Sequence, residues 1–523
     1  MLMIEKGHRG RVLLVITLAL LAIVVPYLIA WRISPAGTVF TGFLINPIDG
    51  FSYLAKMRQG FEGAWRFHLP YTAEPGSGTF LFVFYLALGH LSRILNMPLV
   101  ITYHAARMLF SLLFFALLYV FFDRLFENKR LAWAGYLLSL FGSGLGWLAI
   151  TLFGRQAIDL WVPEGFPFLS AYTNPHFPLA ASAFLGGVLL VYKHGARAWF
   201  HRLLALISGF ILGAVLPFVT IPLFLVLGTW LLWEFLSSRD RSKSAWLGGA
   251  PMDLLLLAVG ALPWLLYDYS LSLNHPVISQ WNAQNLTPSP PLIETILGFG
   301  LALAISVVSL GWRPWRSGPG GRLLTAWLVI GFTLLYIPLP FQRRLSMGLY
   351  LPMVALTVWW LDKVTESSRN FWRAFWTVFV LSIPSALIVM LAGISATSAG
   401  EQAVVFSDAD LAAYEWIDIN IPEESLVLAN LTHGNRLPAF AAVRVLYGHP
   451  FETPNAEYWK QEVLSLLNKD RHAAELESIL NQYGIEWAVL ERTEAEVLGV
   501  GGMTTFQTRA SFDAIEILEN TGP

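Results

Sequence analysis

Asp49 is the one acid at the start of the first long polar-containing stretch of this chain, residues 46–78 (NPIDGFSYLAKMRQGFEGAWRFHLPYTAEPGSG). A carboxylate within hydrogen-bond reach of a hydroxyl can take its proton as a general base. The same residue also reads as a helix N-cap, because Pro47-Ile48-Asp49 opens a helical pattern and Asp is a favoured cap. Glu74, later in the stretch, could act beside it as a second acid or as a metal ligand. Arg343 and Arg344 form a cationic pair in a short loop. Guanidinium forks bind phosphate oxygens in bidentate fashion; contact with lipid headgroups at a helix end is their plainer role. Arg107 stands about two turns into an apolar segment, where a charge faces a cavity or a partner. The partner could be Asp49, Glu74, Asp159 or a ligand. His176 opens another apolar segment, after a loop (154–175) that carries Asp159, Trp161, Glu164, Tyr172 and Asn174. Rings beside carboxylates suit a sugar face, whereas a lone His there also serves as a hydrogen-bonded helix end. No spacing of His or acids matches a metal motif, so a divalent ion stays open only through Glu74 and Asp49.

The elements that must position these residues belong to a membrane protein. Of 523 residues, 55% are hydrophobic and 13% charged, whereas soluble domains carry about 25% charged residues. The apolar residues come in runs of about 17 to 24, the length that spans a bilayer. A formal net charge of −1 offers no footprint for nucleic acid. With no cysteine there is no disulfide, thiolate nucleophile or thiolate metal site. After Asp49, Phe51, Leu54, Ala55 and Met57 fall on one side of a helix, with Ser52, Lys56, Arg58 and Gln59 largely opposite. That is the pattern of a helix lying in the membrane interface, and Trp65 and Tyr71 suit the headgroup layer.

Eleven spans are expected: 12–31, 101–122, 131–153, 176–192, 203–217, 219–236, 252–268, 292–311, 322–338, 345–361 and 372–395. The first reads as a retained anchor, since its core exceeds the about 7–15 residues of a cleaved signal. Residues 80–91 are short for a span and suit a re-entrant or interfacial piece. One side then collects Lys6, Arg9 and Arg11; Arg124, Lys129 and Arg130; Lys193, Arg197 and Arg202; Arg239, Arg241 and Lys243; Arg313, Arg316 and Arg322; and Lys363, Arg369 and Arg373. Cations mark the cytoplasmic side, which puts the N-terminus inside and both the first loop (32–100) and the tail outside. Arg343 and Arg344 stand against the charge rule, on the outer side. Residues 396–523 contain no spanning run. Helices at 408–420, 456–468 and 471–483, with strands at 425–431, 442–447 and 486–490, indicate a small α/β domain on the outer face. The fold class is thus a mostly α, polytopic membrane protein: a transmembrane domain over 1–395 and an extracytoplasmic α/β domain over 396–523.

The run Asp49-x-x-x-Tyr53-x-Ala55, then Gly60, Gly63-Ala64-Trp65, Pro70, the turn at Glu74-Pro75 and a short aromatic helix ending Leu88-Gly89 resembles the first outer loop of GT-C glycosyltransferases. The likeness is to the branch of protein O-mannosyltransferases and aminoarabinose transferases. In that branch an Asp, usually followed by Glu, opens the loop, and a span then begins with a run like Ala106-Arg107-Met108-Leu109-Phe110-Ser111. The resemblance implies an inverting glycosyltransferase in the cell membrane. It would move a sugar from a polyprenyl phosphate to a hydroxyl of a glycan, lipid or protein acceptor at the outer face. Asp49 would be the base, and Tyr53, Glu74, Arg107, His176, Arg343 and Arg344 would bind substrate. Gly50 stands where the second acid is usual, which bears on metal dependence. In the tail, Trp416-Ile417 ahead of Pro422, Arg444, Gly448-His449 and Tyr483-Gly484-Ile485 resemble the outer domains of bacterial members of the superfamily; no activity attaches to them.

Two other classes compete. A transporter or lipid flippase places acids and broken helices at mid-span, whereas here Asp253, Asp268 and Glu294 lie at span ends. A non-catalytic protein of the same architecture is the third reading, favoured by the missing second acid.

Overall fold

The computed structural model describes residues 8–192, 198–237, 249–467, 473–499 and 506–521. Of the cations counted above, Lys6, Lys193, Arg197, Arg239, Arg241 and Lys243 lie outside the described residues. Eight helices among the described residues are long and apolar enough to cross a membrane: Arg9–Ile33, Leu99–Leu125, Lys129–Phe153, Pro217–Ser237, Ala250–Asn274, Leu292–Trp312, Gln342–Val364 and Ser368–Ser398. The spans expected at 176–192 and 203–217 fall on the shorter apolar helices His176–Tyr192 and Trp199–Val215. The one expected at 322–338 falls on Pro319–Leu334, 16 residues long. Proline sets one of these limits. Leu216 is forced out of helical geometry (φ −151, ψ 73) by Pro217, so the helix before it stops at Val215. The chain is a mostly helical integral membrane protein.

By packing, the chain divides into two compact units. One comprises Met1–Pro26, Ala105–Tyr267 and Thr287–Ala392. Within it, the span at Lys129–Phe153 is broken between Phe141 and Gly146, and the freed backbone groups find partners inside the protein. Ser143 donates through both its N–H and its Oγ to the carbonyl of Ser382, at 2.8 and 2.8 Å. Its own carbonyl accepts from the Tyr350 hydroxyl at 2.9 Å. Asp159 Oδ2 accepts from the N–H groups of Gly144 and Gly146 at 3.0 and 3.1 Å. No water competes for such groups in a bilayer, so irregular backbone survives only when tied to protein in this way. Several of the counted cations are paired here: Lys129 with Asp123, Arg130 with Asp362 and Arg322 with Glu234. The charge rule weighs cations rather than net charge, so these pairs do not weaken it.

The second unit comprises Tyr27–His104, Asp268–Leu286 and Gly393–Pro523; it joins the first loop to the tail. Its five-stranded sheet has the order β4-β3-β5-β7-β6, with β3 (Leu426–Ala429), β4 (Arg444–Val445), β5 (Trp487–Glu491), β6 (Phe506–Phe512) and β7 (Ile515–Asn520). β3 runs parallel to β4 and to β5, and β7 runs antiparallel to β5 and β6. Leu426, Leu428, Leu446, Val463, Leu480 and Leu490 share its core. The three expected strands and three expected helices are present. The helices Leu431–Phe440 and Arg492–Gly499 and the β6–β7 hairpin are additional. A second, two-stranded sheet pairs β1 (Thr38–Phe40) with β2 (Val405–Ser407), and Val445 N–H donates to the Pro70 carbonyl at 2.9 Å. Loop and tail are therefore one folded body.

The helix that carries Asp49 runs Pro47–Glu62. Its N-cap is Asn46, in left-handed geometry (φ 48) with no side-chain cap bond. Asp49 lies inside the first turn, so the N-cap reading of Asp49 is corrected. The polar side expected of this helix is not a solvated face. Helices Val83–Leu95 and Leu431–Phe440 pack on the helix, and Ser52 and Lys56, expected on its polar side, are 0% exposed. Two glycines permit the closest of these contacts. A Cβ on Gly60 would lie 2.1 Å from the Leu86 carbonyl oxygen, and one on Gly89 only 1.9 Å from that of Met57.

Gly89→Val drives a branched side chain into backbone, and overpacking costs about 1–3 kcal/mol or more. The thermal midpoint of the purified protein in detergent is expected to fall accordingly. Gly228→Ala, whose Cβ meets nothing within 4 Å, is expected to leave it unchanged.

Candidate functional site

Asp49, Ser52 and Lys56 are spaced i, i+3 and i+7, which puts them on one face of the Pro47–Glu62 helix. A turn of the tail, 448–453, covers that face. Its backbone is locked from within. Thr453 N–H donates to the His449 carbonyl at 3.0 Å, and Thr453 Oγ1 accepts from the N–H groups of Gly448 and His449, at 3.2 Å each. Gly448 is demanded by packing, since a Cβ there would meet the buried Tyr71 ring at 2.2 Å.

From this turn His449 Nε2 reaches Asp49 Oδ1 at 3.0 Å. The histidine is buried, with 2% of its side chain exposed, while Asp49 keeps 39% exposed and so remains open to a reactant. The direction of the bond follows from the other ring nitrogen. His449 Nδ1 accepts from the backbone N–H groups of Phe451 (3.1 Å) and Glu452 (3.2 Å). A nitrogen that accepts two N–H bonds carries no proton. The proton of neutral His449 therefore sits on Nε2, and His449 donates to the Asp49 carboxylate.

Three residues on, Glu452 anchors the turn. Lys56 Nζ donates to both its oxygens, at 2.7 and 2.9 Å, and Ser52 Oγ donates to Oε1 at 2.6 Å. The Lys56 ammonium also lies 4.3 Å from the centre of the Phe82 ring, an attractive cation–π distance. Burial opposes both charges. It pulls the Lys56 ammonium below the ordinary lysine value, against the pull of Glu452. Burial likewise pushes Glu452 up, but the adjacent Lys56 charge is the largest of the effects that overturn this and hold its carboxyl below the ordinary value. The Glu452 carboxylate stays ionised.

No family model matches the chain, and no curated protein matches it by sequence. Solved structures do. ArnT from Cupriavidus metallidurans in the apo state aligns over 99% of this chain and 100% of its own, with a TM-score of 0.57 and 15% identity. The same ArnT bound to undecaprenyl phosphate aligns over 98% and 99%, at 0.54 and 13%. The archaeal oligosaccharyltransferase AglB from Archaeoglobus fulgidus, in complex with an inhibitory peptide and a dolichol-phosphate, aligns over 99% of this chain and 75% of its own, at 0.55 and 14%. The chain has the GT-C fold.

Within this GT-C fold the other sequence-derived candidates fall as follows. Tyr53, one turn after Asp49, stacks on Tyr85 with ring centres 4.5 Å apart, and the Lys56 ammonium lies 5.3 Å from its ring. Glu74 is exposed, and its charge is felt at Tyr483. The acid bonded into the Asp49 face is instead Glu452. Arg107, His176, Arg343 and Arg344 belong to the other unit. Arg107 is 1% exposed and donates from Nη1 to the carbonyls of Ala171 and Tyr172 at 3.1 and 2.8 Å, which ties the 154–175 loop in place. His176 begins its helix, buried, with its ring 4.0 Å from that of Phe177. Arg343 lies over Trp161 at 4.8 Å, and its Nε has no hydrogen-bond partner among the described residues. Arg344 lies over Phe218 at 4.8 Å.

A divalent metal does not fit the residues at Asp49. His449 Nε2 carries a proton and offers no lone pair. A Cβ on Gly50 would meet the Phe43 ring at 2.5 Å, so a second acid at that position is sterically excluded. Among the described residues no group of three His, Cys, Asp or Glu side chains could hold a metal ion. His449 and Glu452 escaped the sequence reading, although Gly448-His449 stood out as a pattern. Nothing in local periodicity links residue 449 to residue 49.

Glu452→Gln removes the charge that compensates a buried ammonium. Breaking one side of such a pair costs about 3–5 kcal/mol, and thermal unfolding is expected to show that loss. Replacing Lys56 and Glu452 together by Met should recover most of it. The pH dependence has a definite sign. Because the folded Glu452 value lies below its ordinary 4.5, its stabilisation is complete above that value and is lost as pH falls through the lower folded value.

Proposed function

We propose that this protein is an inverting glycosyltransferase. It moves a hexosyl or pentosyl group from a polyprenyl-phosphate donor to a hydroxyl of a glycan, lipid or protein acceptor at the outer face of the cell membrane. The carrying observation is the half-exposed Asp49 carboxylate held by a donated His449 hydrogen bond, in a chain with the GT-C fold. In the reaction the acceptor oxygen forms a bond to the anomeric carbon and its proton passes to Asp49. The bond from that carbon to the phosphate oxygen breaks, and the lipid phosphate leaves with the electron pair. One displacement inverts the anomeric carbon and needs no covalent intermediate. In this reading 1–395 is the membrane domain, with the N-terminus cytoplasmic, and 396–523 is extracytoplasmic. That orientation rests on the cation count of the loops.

Fixed positive charge is needed where the leaving phosphate develops charge. Arg343 and Arg344 are assigned that role, supported by the unpartnered Nε of Arg343 and by an outer-loop position that defies the charge rule. ArnT bound to undecaprenyl phosphate and AglB bound to a dolichol-phosphate are proteins of the same fold that hold such lipids, which supports a donor of this class.

Asp49→Asn keeps the shape and removes the base. Transfer from a labelled polyprenyl-phosphate sugar pool in proteoliposomes is expected to fall about 10²–10⁴-fold, with membrane insertion unchanged; full transfer by this variant excludes Asp49 as base. Replacing Arg343 and Arg344 by Ala is expected to raise the KM for the donor about 10-fold or more, given about 1.5–3 kcal/mol for each charged hydrogen bond lost. Unchanged donor dependence assigns the pair to headgroup contact.

A further inference from the structure

We propose that His449 is a positioning residue whose Nε2 proton takes the place of a divalent cation at Asp49, so that the site works without metal. The inference rests on the glycosyltransferase reading for its catalytic consequence, but its structural content stands apart from turnover.

The observations converge from three sides. First, the tautomer is locked. Moving the proton to Nδ1 would set an N–H against the donors of Phe451 and Glu452, which lie 3.1 and 3.2 Å away. It would also forfeit both of these hydrogen bonds. A protonated Nε2 is no ligand, because metals take the neutral nitrogen's lone pair. Second, the position next to Asp49 has no room for the paired acid, since Phe43 fills the space a side chain at Gly50 would need. Third, an ammonium whose main partner is Glu452 lies on the same helix face. Lys56, two turns along, is close enough for the Asp49 charge to act on it.

The arrangement also decides what His449 does not do. With Nδ1 accepting from two backbone donors, the neutral ring presents only an N–H to Asp49. It aims the carboxylate and keeps one oxygen occupied. A carboxylate facing a neutral N–H keeps its full negative charge, whereas one bound to a divalent ion is a weaker base.

The test uses the full chain in nanodiscs with ¹⁵N-labelled histidine. The His449 signals are identified by their loss in His449→Gln. The expected result, read at about pH 8 where an ordinary His is neutral, is an Nε2–H tautomer that is not broadened by added Mn²⁺. An Nδ1–H form or selective Mn²⁺ broadening overturns the proposal. Transfer assays give the second arm. His449→Gln, which keeps a side-chain N–H donor without a titrating ring, is expected to retain most activity. His449→Ala is expected to lose about 10²-fold, the scale of a misplaced reacting group. EDTA is expected to change neither kcat nor KM of the wild type. A loss under EDTA that Mn²⁺ or Mg²⁺ restores overturns the proposal. If Asp49→Asn retains full transfer while the nitrogen signals behave as expected, the glycosyltransferase base is wrong and the locked tautomer is right; the two failures are thus separable.

Discussion

A lysine ammonium with no exposure to water constrains the second unit more than any other group. An isolated buried charge costs several kcal/mol, and Lys56 sits on a helix whose neighbours on the same face are Ser52 and Asp49. Compensation has to come from elsewhere in the chain, and it comes from Glu452, at 2.7 and 2.9 Å. Once Glu452 is fixed there, the turn it belongs to is fixed, and His449 three residues earlier is delivered to Asp49. The pairing of β1 with β2, the Val445–Pro70 bond and the packing of Leu431–Phe440 on the Asp49 helix all hold loop and tail in the register that this contact requires.

The membrane character and the long helices were legible because they depend on composition and length, which a sequence displays directly. So were the existence of the Asp49 helix and most of the tail's sheet, whose strands alternate or run apolar. What stayed hidden depends on distance along the chain. Ser52 and Lys56 look like a solvated face, since a sequence cannot announce that a tail turn will cover them. Three of the expected spans fall on helices of 17, 18 and 16 residues, and Pro217 ends one of them. The β6–β7 hairpin carries Gln507, Thr508, Arg509 and Ser511 on an edge strand, too polar to stand out as a strand. Glycines were noted as motif, and their reason is steric: Gly60 and Gly89 let two helix backbones touch.

The GT-C resemblance carries an expectation of paired acids, and at this place the chain has one acid and a histidine, Asp49 and His449. The carboxylate is oriented by a neutral hydrogen-bond donor, while the nearest ammonium on that face, Lys56, is held by Glu452. Such an arrangement is stiff, because the donor, its ring tautomer and the turn are each fixed by backbone bonds. Preorganised dipoles of this kind act on a developing charge without having to reorient.

The hydrogen bond between His449 and Asp49 closes a sequence separation of 400 residues. During synthesis, the helix at Pro47–Glu62 is made long before its companion turn exists. Lys56 must wait, unneutralised, while the intervening spans are inserted. Contacts between such distant residues form late, because closing a long loop is entropically expensive. The bond at Asp49 can therefore form only after residue 449 has been made, 400 residues after its partner.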